Sequence, residues 1–76
     1  MQQFVEYIVQ NIVDTPTDVK VACFEGQRGT IIEVQVAKED IGKVVGKNGR
    51  TIQALRTVAM IAGTKLGRHV RLELIE

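Results

Sequence analysis

Tryptophan and serine are absent from this chain of 76 residues, and cysteine, proline, histidine and tyrosine each occur once. Each shortage removes a class of chemistry. The lone Cys23 cannot close an intrachain disulfide, and without a Cys/His cluster there is no ligand set for zinc. It reads as a small buried hydrophobe on a strand, at home in a reducing cytosol. With no serine, and with His69 alone at the start of a predicted strand, the nucleophile-and-base pairing of covalent catalysis is missing. Glu39 and Asp40 are neighbours and fit helix N-terminal charges better than a catalytic carboxylate pair. No enzyme activity, cofactor, metal or small-molecule substrate is expected. No apolar run approaches the about 20 residues of a membrane span, so a membrane partner is not expected either. Glu6 interrupts the N-terminal apolar segment, which argues against a signal peptide and for the cytoplasm. The aromatics are Phe4, Tyr7 and Phe24. Phe4 is expected in the core and Tyr7 partly exposed, so an aromatic platform for stacking is not expected.

What remains is a chain 45% apolar and 25% charged, with a net charge of +1. A chain this short buries only about 60% of its unfolded surface, enough for one thin core. Charge is unevenly placed. Residues 1–37 hold two cations against five acids, and residues 38–76 hold eight cations against four acids. The basic half is the candidate face for a polyanion, against the simpler reading of solvated surface charge.

Periodicity divides the chain into six elements. Phe4, Ile8 and Ile12 recur every fourth residue, with Val5, Val9 and Val13 beside them, which predicts a helix over residues 2–13, ended by Pro16. Residues 19–25 alternate, with Val19, Val21 and Cys23 opposite Lys20, Ala22 and Phe24. Gly26 to Gly29 form a turn, and residues 30–37 alternate again, completing an antiparallel hairpin. Residues 38–45 predict a short helix with Ile41, Val44 and Val45 as its apolar stripe. Residues 50–66 predict a long one. Its main stripe is Ile52, Leu55, Ala59, Ala62 and Leu66, and Ala54, Val58 and Ile61 form a second stripe. That second stripe fits packing under the N-terminal helix, or a surface for association. Residues 69–75 predict a closing strand. Two helices between the second and third strands imply that these strands run parallel. The expected fold is α+β, in the order α-β-β-α-α-β, with a three-stranded mixed sheet and helices on one face, forming a single domain over residues 1–76.

Between the last two helices lies Gly46-Lys47-Asn48-Gly49. Glycine at both ends permits positive φ and removes side-chain bulk, so another backbone can approach. The helix beginning at Arg50 offers free N–H groups and a positive dipole end to an anion. Lys47 supplies a point charge, Asn48 tolerates left-handed geometry, Arg50 adds a fork of donors, and Lys43 lies one turn earlier. Ile41, Gly42, Val44, Val45 and Ile52 are placed to floor or support a groove for unstacked bases.

The run from Ile41 to Ile52, IGKVVGKNGRTI, resembles the KH signature I-G-x-[VI]-[VI]-G-x-x-G-x-x-I. The element order resembles the type II, prokaryotic KH fold. Its length and N-terminal helix resemble the bacterial KhpA (YlqC-like) family of small RNA-binding proteins. Asn48 stands where many such loops carry a second basic residue or glycine. The resemblance implies single-stranded RNA as ligand, clamped at Gly46, Lys47, Asn48 and Gly49 with support from Lys43 and Arg50. It also implies RNA-chaperone or regulatory work, and self-association or pairing with a larger KH-containing (Jag/KhpB-like) protein.

Other readings fit less well. A Walker A loop needs four residues between its glycines and Ser or Thr after the lysine, whereas Gly42 and Gly46 enclose three and Asn48 comes after Lys47. A DNA-reading helix over residues 50–66 would carry too many apolar residues. The main alternative is a protein-interaction or dimerisation module in which RNA binding is secondary.

Overall fold

The computed structural model describes residues 2–75. Helix α1 (Gln2–Gln10) leads through a 3₁₀ turn at Pro16–Asp18 to strands β1 (Lys20–Glu25) and β2 (Thr30–Gln35). A second 3₁₀ turn, Lys38–Asp40, precedes helix α2 (Ile41–Val45). A third, Lys47–Gly49, joins it to helix α3 (Arg50–Lys65), and strand β3 (Val70–Ile75) closes the fold. β2 is central, antiparallel to β1 and parallel to β3, as the crossover requires.

The register sorts the strands' side chains into two faces. Inward rows run Cys23–Ile32–Leu72 and Val21–Val34–Leu74, with Ile32 and Val34 fully buried. They meet Val5 and Val9 of α1, Val44 of α2, and Ile52, Leu55 and Ala59 of α3 in one core. Cys23 is half-buried against that core rather than within it. The outward rows run Phe24–Ile31–Arg71, Ala22–Glu33–Glu73 and Lys20–Gln35–Ile75, and Phe24, Ile31 and Ile75 on them are exposed.

α1 is shorter and rotated relative to expectation. After Gln10 the chain tightens, with Ile12 N–H donating to the Val9 carbonyl and the Asn11 side-chain amide donating to the Tyr7 carbonyl at 2.8 Å. Val5, Val9 and Val13 form the buried line, whereas Phe4 is 49% exposed. Two apolar lines of equal period compete in this helix. α1 packs on the edge strand β1 with its Val5–Val9 line fully buried, while Ile8 and Ile12 of the other line sit half-buried at the margin of the core.

α3 lies over β3, at the opposite edge. Its buried line runs Ile52, Leu55, Ala59 and then Gly63, leaving Leu66 exposed. A side chain at Gly63 would strike Val70, so glycine sets how closely helix and strand approach. Arg68 N–H donates to the Gly63 carbonyl and Gly67 N–H to that of Thr64, with Gly67 left-handed, the pattern of a Schellman stop. Because α1 and α3 cover opposite edges, Ala54, Val58 and Ile61 stay in solvent rather than packing under α1.

Asp40 differs most from its reading as a helix-end charge. It is 1% exposed, and its Oδ2 accepts the Thr15 N–H at 3.0 Å. The carboxylate fastens the connector after α1 to the start of α2.

Candidate nucleic-acid interface

α2 ends where Gly46 N–H donates to the Gly42 carbonyl, and Gly46 then swings to φ 78°. Asn48 (φ 57°) and Gly49 (φ 73°) are also left-handed. A Cβ on Gly46 would collide with Thr51, so this glycine is required by space as well as by dihedral. Around Gly49 there is open space. Asn is among the few side-chain-bearing residues that adopt this region readily, which accounts for Asn48. The Gly49 N–H closes the turn onto the Gly46 carbonyl at 3.1 Å. Lys47 and Asn48 project into solvent, and no side chain caps the first turn of α3. The product is a backbone turn without bulk, carrying one cation, at the N-terminal end of α3, where the Arg50 N–H is taken by the Lys47 carbonyl and no side chain caps the turn that follows. It can receive a phosphate.

The neighbouring cations differ. Arg50 is exposed at the start of α3. Lys43 is engaged, its Nζ lying 3.0 Å from Asp14 Oδ2. The hydrogen bond and charge of Asp14, with a further push from Asp40, raise its pKa above the ordinary 10.5. Lys43 therefore stays charged through the neutral range, with its charge turned toward the end of α1. The five groove residues separate by burial. Val44 and Ile52 belong to the core, Ile41 and Val45 are half-buried at its margin, and Gly42 is at the surface with open space above it.

A second groove, of about 440 Å³, runs between α3 and the outer edge of β3. Gln53, Arg56, Thr57 and Met60 form its helical wall, and Val70 to Glu73 its strand wall. Arg56 Nε reaches across to the Leu72 carbonyl at 3.3 Å. Sequence pattern alone does not mark these residues as a site. The available signal is Arg50, Gln53, Thr57 and Met60 at helical spacing, a flank that continues from the loop along α3.

A family model described as the KhpA/KhpB KH domain matches residues 2–74, which include the loop and both grooves. The chain belongs to the KhpA/KhpB KH-domain family. Its relatives include the RNA-binding protein KhpA of Streptomyces coelicolor, 46% identical across all of this chain and 92% of that protein. The RNA-binding protein KhpA of Chlamydia pneumoniae is 42% identical across all of this chain and 97% of that one. Among solved structures, a point variant of Aquifex aeolicus Era bound to GDP·AlF4⁻ superposes with a TM-score of 0.64 at 22% identity. The match covers 96% of this chain and 28% of the Era chain, a likeness of fold alone.

Proposed function

We propose that this chain acts as one KH unit that binds single-stranded RNA without catalysing a reaction. The RNA backbone rests on Gly46, Lys47, Asn48 and Gly49, with Arg50 beside it and Lys43 available once released from Asp14. Bases lie over Gly42, Ile41 and Val45 and along the flank of Gln53 and Arg56, while Val44 and Ile52 hold the floor from below. One observation carries this reading: left-handed backbone at Gly46, Asn48 and Gly49 leads directly into an uncapped helix. The names of the relatives agree with it. A KH clamp spans about four nucleotides, so one copy binds weakly and with little selectivity, which suits an RNA chaperone or regulator in the cytoplasm.

A second reading rests on Val58 and Ile61, which stand exposed on the flank of α3 beside Ala54. This stripe fits a second copy or a KhpB-like partner, and a dimer would join two weak RNA sites into one of higher avidity. Salt separates the two readings. Fluorescence anisotropy with labelled single-stranded RNA is expected to show affinity falling as salt rises, because neutralised phosphates release counterions. Lys47→Asp/Asn48→Asp is expected to weaken binding strongly with the fold intact by circular dichroism. RNA binding unchanged in that variant would move the interaction module to the front. Light scattering of Val58→Asp/Ile61→Asp, compared with the parent chain, then tests whether the stripe joins copies.

A further inference from the structure

The outer face of the sheet ends, at the hairpin, in a shallow cavity of about 570 Å³, within the about 300–1,000 Å³ of small-molecule sites. Its floor is one row across all three strands. Phe24 is directly opposite Ile31, and Ile31 is directly opposite Arg71. Phe24 is 55% exposed and Ile31 41%. The next row, Ala22–Glu33–Glu73, is small and acidic, so the apolar floor stops after one row. That is far too narrow for the about 800 Å² per partner of a stable protein interface, and close to the size of one flat ring.

The wall is a tight turn carrying Arg28, with Glu25 at its start. Gly26 N–H donates to the Gly29 carbonyl at 2.8 Å. Arg68 clamps the turn from behind, to Thr30 Oγ1 at 2.9 Å and the Gly26 carbonyl at 3.0 Å. Gly29 is pressed so closely on His69 that a Cβ would meet the His69 carbonyl. Arg28 projects from this turn, and Arg71, paired with Glu73 at 2.9 Å, stands at the other end of the floor. An aromatic ring flanked by arginines matches an unstacked base with its phosphate, in the manner of single-strand stacking sites.

Position links this cavity to RNA. Arg71 lines it and also lines the groove between α3 and β3. The two sites therefore meet at the edge of β3, and a strand leaving the groove turns over that edge at Arg71 onto Phe24. We propose that Phe24, with Ile31 beneath the base and Arg28 and Arg71 at its phosphates, forms a second contact for single-stranded RNA on the outer face. It extends the footprint beyond the Gly46–Gly49 clamp. The track from loop to platform rests on the RNA-binding reading; the stacking contact itself does not need the loop.

The chain has no tryptophan, so Phe24→Trp installs a single reporter on the floor. Oligoadenylates of four and ten nucleotides are the probes. The ten-mer is expected to quench the tryptophan. Phe24→Ala is expected to weaken ten-mer binding by about five- to a hundredfold, the range of a lost stacking partner, and to leave the four-mer unchanged. Arg28→Glu is expected to act in the same direction, with Phe24→Trp binding like the parent. If Phe24→Ala binds the ten-mer as the parent does while Lys47→Asp/Asn48→Asp fails, the platform is wrong and the clamp stands. If Phe24→Ala weakens the ten-mer while the loop variant binds normally, the clamp is wrong and the platform stands. A change of mass by light scattering in Phe24→Ala, without a change in ten-mer affinity, makes the floor a protein contact and overturns the proposal. Phe24 is exposed, so circular dichroism is expected to report an unaltered fold in each variant.

Discussion

The chain contains the pattern Gly-x-x-Gly twice, each time around one basic and one amide side chain: Gly26-Gln27-Arg28-Gly29 and Gly46-Lys47-Asn48-Gly49. The two behave differently because a strand comes after one and a helix after the other. The first turns one strand back on the next. Its backbone groups are used internally, Gly26 N–H by the Gly29 carbonyl and the Gly26 carbonyl by Arg68. The second leads from one helix into another: the Gly49 N–H is taken by the Gly46 carbonyl and the Arg50 N–H by that of Lys47, but no side chain caps the first turn of α3 beyond them. The tetrad is therefore not in itself a ligand signal. Glycine permits the bend, and the next element decides what it opens onto: a paired strand from Thr30, or a helix from Arg50 without a side-chain cap.

Exchanging charge in the two turns gives the largest contrast. Lys47→Asp/Asn48→Asp is expected to weaken RNA binding by about a hundredfold, as two contacts worth roughly 1.5 kcal/mol each are lost. Gln27→Asp/Arg28→Asp is expected to leave a four-nucleotide probe unaffected in the same anisotropy titration. Equal loss in both would erase the distinction. The glycines come next. Gly46→Ala combines a left-handed φ with the collision at Thr51 and is expected to cost about 1–3 kcal/mol in urea denaturation, and RNA affinity with it. Gly29→Ala meets the His69 carbonyl and is expected to destabilise similarly while the folded fraction still binds the short probe. Gly49→Ala faces open space, so only its dihedral objects, at about 1–2 kcal/mol.

Asp40 tests the approach to the second turn. Asp40→Ala leaves the Thr15 N–H without its acceptor and is expected to lower stability by about 1–3 kcal/mol in thermal unfolding, with the loop's charge untouched. The smallest effect belongs to Asp14→Asn. Releasing Lys43 is expected to tighten RNA binding at low salt and to steepen the log–log salt dependence by about 0.7, one additional phosphate on a single strand. The raised Lys43 pKa gives the sign with pH. With Asp14 ionised, whatever the ion pair contributes is complete below about 10.5 and fades only above it, so Asp14 restrains Lys43 throughout the physiological range.

The strands were legible residue by residue, because alternation assigns Val19, Val21, Ile32 and Val34 to one face whichever partner covers it. The loop was legible too, since positive φ and absent bulk are properties of glycine itself. The helices were harder. In α1 the Phe4 and Val5 lines have the same period, and only the way the helix is set on β1 distinguishes them. In α3 the exposure of Ala54, Val58 and Ile61 depends on α1 lying at the far edge of the sheet, a matter of topology rather than pattern. Asp40 looked like surface charge because its partner, a backbone N–H at Thr15, has no side-chain signature. The flank of Gln53 and Arg56 became part of a groove only once β3 stood beside it. The scarcity of aromatics concealed the Phe24 row, since strand register, not composition, brings Ile31 and Arg71 to its side.

The parallel pairing of β2 with β3 also sets an order in time. Thr30 pairs with Val70, so the partners stand 70 − 30 = 40 positions apart, with both helices of the crossover between them. During synthesis the hairpin can close early on local contacts, but the central strand keeps an open edge until residues 70–75 have been made. The groove beside α3 gains its second wall at that same moment. A nascent chain halted before β3 carries the glycine turn but half a groove and an unprotected strand edge, so completion of the groove and protection from aggregation arrive together.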